Sequence, residues 1–404
     1  MSLADPMPLP NESDACAVAA SAVVAGQELT IFAESPQLIL SMVKDIQAAQ
    51  KRVWMETYIF ANDDAGRAVA TALAERAAAG VDVRLMVDAF GSFGTPSVVF
   101  NRLRAAGVKV HVFHALWDAV LGRLQFLRVL NQRNHRKLLI VDDRVAYFGG
   151  MNVVDQTIIH SKADAKNRHL PSSAGWRDVH VRLVGSRQVD VARAFERLWR
   201  RAHHEPLRAE PRWPIQQMLN APNDSIFFFD SRPALRLRRP QRILVPLIQS
   251  AQREVTLCVA YFMPMGRILR ELFRARKRGV RVQVIIPGQS DVKLVHWATR
   301  HYYEFLLNRG IRIYERKDRM LHSKAMVVDG KWSVIGSCNL DNRSLRSNLE
   351  FFAVIHSPEV ANALRHICLE EIRNSIRVTA DFCKRRSRWQ RLVDRTAWAF
   401  RHWL

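Results

Sequence analysis

One arrangement of residues occurs twice in this chain of 404 residues. The first copy is His135, Lys137, Asp142, Gly149, Gly150 and Asn152; the second is His322, Lys324, Asp329, Gly336, Ser337 and Asn339. With average residue frequencies, one copy by chance in a chain of this length is about a 10⁻⁴ event, so two copies are no accident. Each copy supplies an imidazole, an ammonium group and a short amide, the groups that phosphate-ester chemistry needs. Across one phosphodiester, a neutral imidazole can attack phosphorus. The other imidazole, protonated, gives its proton to the leaving alkoxide and takes one from the incoming acceptor. Lys137, Lys324, Asn152 and Asn339 would hold the non-bridging oxygens and offset transition-state charge. This chemistry calls for no metal and no cofactor, and no cluster in the sequence has metal-ligand spacing.

Each copy reads as strand, tight turn, strand. His135 and Lys137 lead into Leu138 to Val141, and Asp142-Asp143-Arg144 turns into Val145 to Phe148. The second copy repeats this from His322 through the Asp329-Gly330 turn to Ile335. Side chains alternate along a strand, so each histidine shares a face with its lysine. The Gly149-Gly150 and Gly336-Ser337 steps let backbone approach an oxyanion, which adds Gly150 and Ser337 to Asn152 and Asn339 as phosphate-binding positions. Asp142 and Asp329 complete the catalytic motif but fall at the turn, where they support it without reaching substrate. A nucleophilic histidine needs its second ring nitrogen oriented by an acceptor. Asp178 and Glu350, on the strands that follow each copy, are the candidates. Glu56, on an apolar strand, reads either as a group near the cleft or as a paired buried carboxylate.

These residues resemble the paired HKD motifs of the phospholipase D superfamily, and the likeness runs from about Leu29 to about His366. Within it the chain is most similar to bacterial cardiolipin synthases, especially the B type. Glu56-Thr57-Tyr58-Ile59-Phe60, Asn134-His135-Arg136-Lys137, Phe148-Gly149-Gly150-Met151-Asn152 and Trp176-Arg177-Asp178-Val179 carry the resemblance in the first half. Ala260-Tyr261-Phe262-Met263-Pro264, Leu321-His322-Ser323-Lys324 and Gly336-Ser337-Cys338-Asn339-Leu340-Asp341 carry it in the second. The resemblance implies His135 as nucleophile, His322 as general acid and base, and Asp178 and Glu350 as the carboxylates that orient them. It also implies phosphatidyl transfer from one phosphatidylglycerol to the glycerol hydroxyl of another, giving cardiolipin and glycerol. Phosphatidylethanolamine and other alcohols stay open. The alternatives are a phospholipase D that passes the same intermediate to water, and a nuclease of the same superfamily.

The elements that must position these groups recur in the same order. Apolar strands at Arg52 to Phe60 and Arg253 to Phe262 each precede an amphipathic helix, at Ala65 to Ala79 and Gly266 to Arg278. A glycine stop then leads into a second strand, at Val81 to Val87 and Val280 to Ile286. This internal duplication implies an α/β fold of two phospholipase D-like α/β/α halves, each a mixed β-sheet flanked by helices, with one active site at their interface. The expected divisions are a flexible extension over 1–27, a first half over 28–204, a connection over 205–242, a second half over 243–380 and a basic amphipathic segment over 381–404.

Sixty-one Lys and Arg against 38 Asp and Glu give a net charge of +23, which predicts a polyanionic partner. As a helix, the C-terminal segment gathers Trp389, Leu392, Val393, Ala397, Phe400 and Leu404 on one side, with Trp398 outside the pattern. A basic helix of this kind suits an anionic membrane surface. Tryptophans gathered there, away from any groove, argue against nucleic acid as the partner. The stretch from Ala115 to Asn134 reads as a lipid-dipping element, a lid or an ordinary helix. Five scattered cysteines form no disulfide framework, and neither a signal peptide nor a spanning helix is read from the sequence. The expected location is therefore peripheral, at the cytoplasmic face of a bacterial inner membrane; the oligomeric state is not legible.

Overall fold

The computed structural model describes residues 20–113, 132–155, 176–206, 214–231, 239–264 and 266–400. The first sheet contains β1 (Ala20–Val24), β2 (Gln27–Phe32), β3 (Arg52–Thr57), β4 (Asp82–Asp88), β5 (Lys109–Phe113), β6 (Leu138–Val141), β7 (Val145–Gly149) and β8 (His180–Val184). The second contains β9 (Ser225–Asp230), β10 (Glu254–Val259), β11 (Arg281–Pro287), β12 (Arg312–Arg316), β13 (Lys324–Val328), β14 (Trp332–Gly336), β15 (Phe351–His356) and β16 (Ser375–Arg377). Their orders, β1-β2-β8-β7-β6-β3-β4-β5 and β16-β12-β11-β10-β13-β14-β15-β9, are one arrangement read from opposite ends, with β1 and β16 as additions. In both, three neighbouring strands run parallel and the rest antiparallel, so the sheets are mixed as expected.

Parallel neighbours need a crossover, and helices provide it. Helix Asp64–Ala78 links β3 to β4; Asp63 opens it by accepting the Gly66 N–H at 2.9 Å. It stops at Gly80, with φ +86°, and its counterpart Arg267–Lys277 stops at Gly279, with φ +90°. Glycine enters this left-handed region without strain. Strand alternation then divides the core. Leu138 and Ile140 of β6 face a central core while Leu139 and Val141 face an outer one. In β13, Ala325 and Val327 face the centre, with Met326 and Val328 outward. Helices Gln188–Ala202 and Pro358–Arg373 complete the central core, which both halves share.

Three expectations change. The extension and the connection each contribute a strand: β1 pairs with β2, and β9 forms the edge of the second sheet against β15. The Ala/Val-rich β1 and the continuous Phe227-Phe228-Phe229 run of β9 hide the two-residue period that marks a strand. The C-terminal segment does form a helix, Arg388–Ala399, opened by reciprocal bonds between Ser387 and Gln390. It is Trp398, outside the expected apolar face, that holds this helix to the protein, its ring 4.8 Å from His301. Ala397 is also turned inward, leaving Trp389, Leu392 and Phe400 exposed. Residues 115–131 of the stretch before the first motif lie outside the described residues. Among the described residues, no helix is long and apolar enough to cross a membrane.

Candidate active site

Two short parallel bridges, Asn134 to Leu349 and Arg177 to Leu321, stitch the halves together. His135 N donates to Leu349 O at 3.0 Å, and Leu349 N to Arg133 O at 2.8 Å. Likewise His322 N donates to Arg177 O at 2.7 Å, and Arg177 N to Met320 O at 2.8 Å. Each motif histidine is thus strapped to the segment of the opposite half that carries a carboxylate. Beside these bridges the buried Arg177 guanidinium bonds Glu34 of the first half at 2.7 Å. It bonds Glu370 and Glu371 of the second at 2.9 Å each.

The side chains cross in the same way. His135 Nδ1 lies 3.1 Å from Glu350 Oε2 and 3.0 Å from Ser337 O, while His322 Nδ1 lies 2.7 Å from Asp178 Oδ2. These oxygens accept, so each Nδ1 carries the hydrogen and each Nε2 is left with its lone pair. Lys324 Nζ crowds the His322 ring, 2.6 Å from Nδ1 and 3.1 Å from Nε2, and also donates to His322 O. With the Nδ1 hydrogen directed at Asp178, the 2.6 Å approach is a contact between two donors that opposes protonation of the ring. Lys137 Nζ donates to His135 O at 2.7 Å.

Burial sets the charge states, and neighbours adjust them. Burial, then Lys137 and Lys324, hold His135 well below the usual imidazole range. Burial and Lys324 also lower His322, but Asp178 opposes the shift. The two carboxyls diverge. Burial raises Asp178, yet Lys324 and His322 outweigh it, so this group ends below the ordinary carboxylate value. Burial pushes Glu350 up to about 8 despite Lys137 and the Ser337 hydroxyl. Burial also lowers Lys137 and Lys324, with each ammonium disfavoured or supported by the charges around it.

Two of the positions expected to bind phosphate, Gly150 and Ser337, pack against the orienting carboxylates. A Cβ at Gly150 would fall 2.2 Å from Asp178 Oδ1, so glycine there leaves room for the carboxylate that meets His322. At the corresponding place in the second half, the Ser337 hydroxyl donates to Glu350 and accepts the Phe351 N–H at 3.1 Å. Asn152 Oδ1 accepts the Ile59 N–H at 3.2 Å, whereas Asn339 Oδ1 is buried with no hydrogen-bond partner among the described residues. Asp142 lies at the hairpin turn, at the far end of β6 from His135. Its carboxylate accepts the N–H groups of Gln50, Lys51 and Arg52 at 3.0, 2.7 and 3.0 Å. Asp329 does the same for Gln252, Arg253 and Glu254 at 2.8, 2.8 and 2.9 Å. The third letter of the motif therefore ties the hairpin to the start of β3 or β10. Glu56 is a paired buried carboxylate, bound by Arg136 at 2.9 and 2.5 Å.

Sequence reasoning gave no role to the aromatic groups around the histidines. Tyr58 lies 5.2 Å from the His135 ring, Trp176 5.2 Å from His322, and Tyr261 6.3 Å from His322. Tyr58 directly follows β3, while Tyr261 lies one position further along after β10, so the register pairs Tyr261 with Ile59 and the tyrosines do not repeat in the pattern. His180, two residues beyond Asp178, was also unassigned; it is fully buried and burial takes it down to about 3.

A family model described as cardiolipin synthase, PLD-like domain, matches residues 42–164 and 244–370. A cardiolipin synthase of Clostridium perfringens is 28% identical over 89% of this chain and 73% of that protein. Cardiolipin synthase A of Proteus mirabilis is 30% identical over 93% of this chain and 76% of its own length. In fold, a phosphatidylserine synthase of Haemophilus influenzae superposes with a TM-score of 0.69 over 94% of both chains at 14% identity. These relatives identify the wider family and not a B-type subgroup within it. Two matched PLD-like regions, each carrying one of the histidines strapped to the opposite half, make the chain a member of the cardiolipin synthase family of phospholipase D-like proteins.

Proposed function

We propose that this protein is a cardiolipin synthase that transfers a phosphatidyl group from one phosphatidylglycerol to the glycerol hydroxyl of another. The observation that carries the reading is the reciprocal pairing of two buried histidines with carboxylates of the opposite halves. His135 Nε2 attacks phosphorus, the bond from phosphorus to the glycerol oxygen breaks, and protonated His322 gives its proton to that oxygen. Glycerol leaves a phosphatidyl-histidine. His322 then takes the proton of the acceptor hydroxyl, whose oxygen attacks phosphorus, releasing cardiolipin and restoring His135. Lys137, Lys324, Asn152 and Asn339 hold the phosphate oxygens; Asp142 and Asp329 serve by fixing the hairpins.

The electrostatics support this division of labour. A proton shuttle must become cationic during turnover, which suits the histidine whose partner stays ionised, His322 with Asp178. A nucleophile must stay neutral, which suits His135, held well below the usual imidazole range beside a carboxyl raised to about 8. Transfer in preference to hydrolysis requires the acceptor alcohol to be bound close to the intermediate. Phosphatidylethanolamine remains an alternative donor. The net charge of +23 and the basic C-terminal helix support peripheral action at an anionic membrane, the cytoplasmic face of a bacterial inner membrane.

The test is turnover of labelled phosphatidylglycerol vesicles by wild type, His135→Ala and His322→Ala. Cardiolipin with free glycerol from wild type alone supports the proposal. Phosphatidic acid as sole product makes the protein a hydrolase, and no phospholipid turnover removes the lipid reading.

A further inference from the structure

The geometry points to a single docking face for an anionic lipid bilayer, made by both loops at the mouth of the site and the outer face of the C-terminal helix. This rests on the phosphatidyl-transfer reading and adds the surface through which the buried site meets its substrate.

The first component follows β4. Phe90 and Phe93 are exposed there, Phe93 at 77%. Their loop is bound to the His135 side of the site. The Asp88 carboxylate accepts the Phe90 N–H at 2.9 Å and the Asn134 N–H, next to His135, at 2.9 Å. Ser92 Oγ donates to Tyr58 O at 3.1 Å, and Tyr58 is the residue against the His135 ring. The Phe90 ring carries Arg133 at 4.8 Å, two residues before His135. Anchored at its base, this phenylalanine pair presents its rings to the solvent, Phe90 at 57%.

The second component follows β11, the equivalent strand of the other half. Tyr261, facing His322, donates to Asp291 at 2.8 and 2.7 Å and so fixes the loop that presents Val292. The third is joined to the second. Ala397 of the C-terminal helix packs into a small cluster with Met263, Val295 and Ala298, and Tyr261 borders that cluster. On the outer side, Trp389, Leu392 and Phe400 form an exposed stripe at helical spacing, Trp389 at 71%. Arg388 and Arg395 flank the stripe and are exposed, while the helix's one acidic residue, Asp394, is buried against Arg386. The outer face is therefore aromatic, aliphatic and purely cationic. That combination matches an interface of acyl chains beneath anionic headgroups.

The experiment uses the full chain, vesicles of phosphatidylglycerol with phosphatidylcholine, and short-chain phosphatidylglycerol below its micelle concentration. The variants are Phe93→Asp, the pair Trp389→Asp with Leu392→Asp, and the control Val23→Asp on the edge strand β1. Both mouth and helix variants should melt like wild type and lose about ten- to a hundredfold in vesicle partitioning, the transfer free energy of one or two buried side chains. Their vesicle turnover should fall accordingly. Turnover of the monomeric substrate should stay within about twofold, as expected for substitutions away from the reacting groups. Val23→Asp should change nothing. Unchanged partitioning of the variants, equal binding of wild type to pure phosphatidylcholine, or loss of a dimer with vesicle binding intact would overturn the proposal. If neither substrate form is turned over by wild type, the transfer reading fails instead, and partitioning still decides the docking face.

Discussion

His322 Nδ1 lies 2.7 Å from Asp178 Oδ2, and the two residues come from opposite halves of the duplicated chain. The reciprocal pair, His135 with Glu350, makes the dependence mutual. Backbone bridges at Leu349 and Arg177 set the crossing before any side chain is placed. Asp178→Asn keeps the volume but removes the acceptor that fixes the His322 tautomer. Its kcat should drop by about 10³- to 10⁴-fold, the loss seen when a histidine-orienting carboxylate is neutralised. A phosphodiester with a p-nitrophenolate leaving group needs no proton, so the loss should shrink with that substrate. Equal losses with both leaving groups would remove His322 from the acid's role.

Asp142 gives a prediction of the opposite kind. It accepts three backbone N–H groups around Arg52 and touches neither histidine. Asp142→Ala should lower stability by about 2 kcal/mol, in the range for bonds to a charged acceptor. Thermal melts and single-turnover rates separate this from chemistry: the folded fraction should keep its rate. A rate loss of orders of magnitude without a change in melting would make the aspartate catalytic.

Gly150 and Ser337 occupy equivalent positions with unequal demands. The Cβ of Gly150→Ala would meet both Asp178 oxygens, at 2.2 and 2.6 Å, and must displace them. Misplacing an orienting group should lower kcat by about a hundredfold. Ser337→Ala removes a donor from Glu350 and an acceptor from the Phe351 N–H but displaces nothing, so its loss should be smaller. Steady-state kinetics on the pair tests the ranking.

Glu350 makes stability depend on pH. Its carboxyl is raised by burial from 4.5 to about 8, so the folded state holds this proton more tightly than the unfolded chain does. The resulting stabilisation is full below about 4.5 and is lost as pH rises through about 8. Glu350→Gln cannot ionise and escapes that loss. The Tm of the variant minus that of wild type should therefore rise between pH 5 and pH 9, measured by calorimetry. A difference that is flat or falls with pH would mean the carboxyl is ionised throughout.

The duplicated architecture was legible because it repeats. Two copies of His, Lys and Asn at fixed spacing pointed to the chemistry now proposed, and the shared order of strands and helices identifies the halves. Asp178 and Glu350 were found as acceptors, but not the crossing. That depends on the backbone bridges between halves, which no local pattern encodes. The strand β1 was hidden by its short Ala/Val-rich sequence, and β9 by an unbroken phenylalanine run. Trp398 read as a flaw in an amphipathic face; with Ala397 it turns the C-terminal helix onto the protein and leaves the other aromatics outward. The docking of Gly150 against a carboxylate was equally invisible, since a glycine's reason lies in its neighbour.

In the proposed mechanism His135 carries the phosphatidyl group and His322 moves the proton. Its most direct test is rapid quenching of the enzyme with phosphorus-labelled phosphatidylglycerol, followed by mapping of the labelled residue. Wild type should give transient label on His135. His322→Ala, offered a donor with a good leaving group, should accumulate it, and His135→Ala should give none. Label on His322, or label in His135→Ala, would contradict the account.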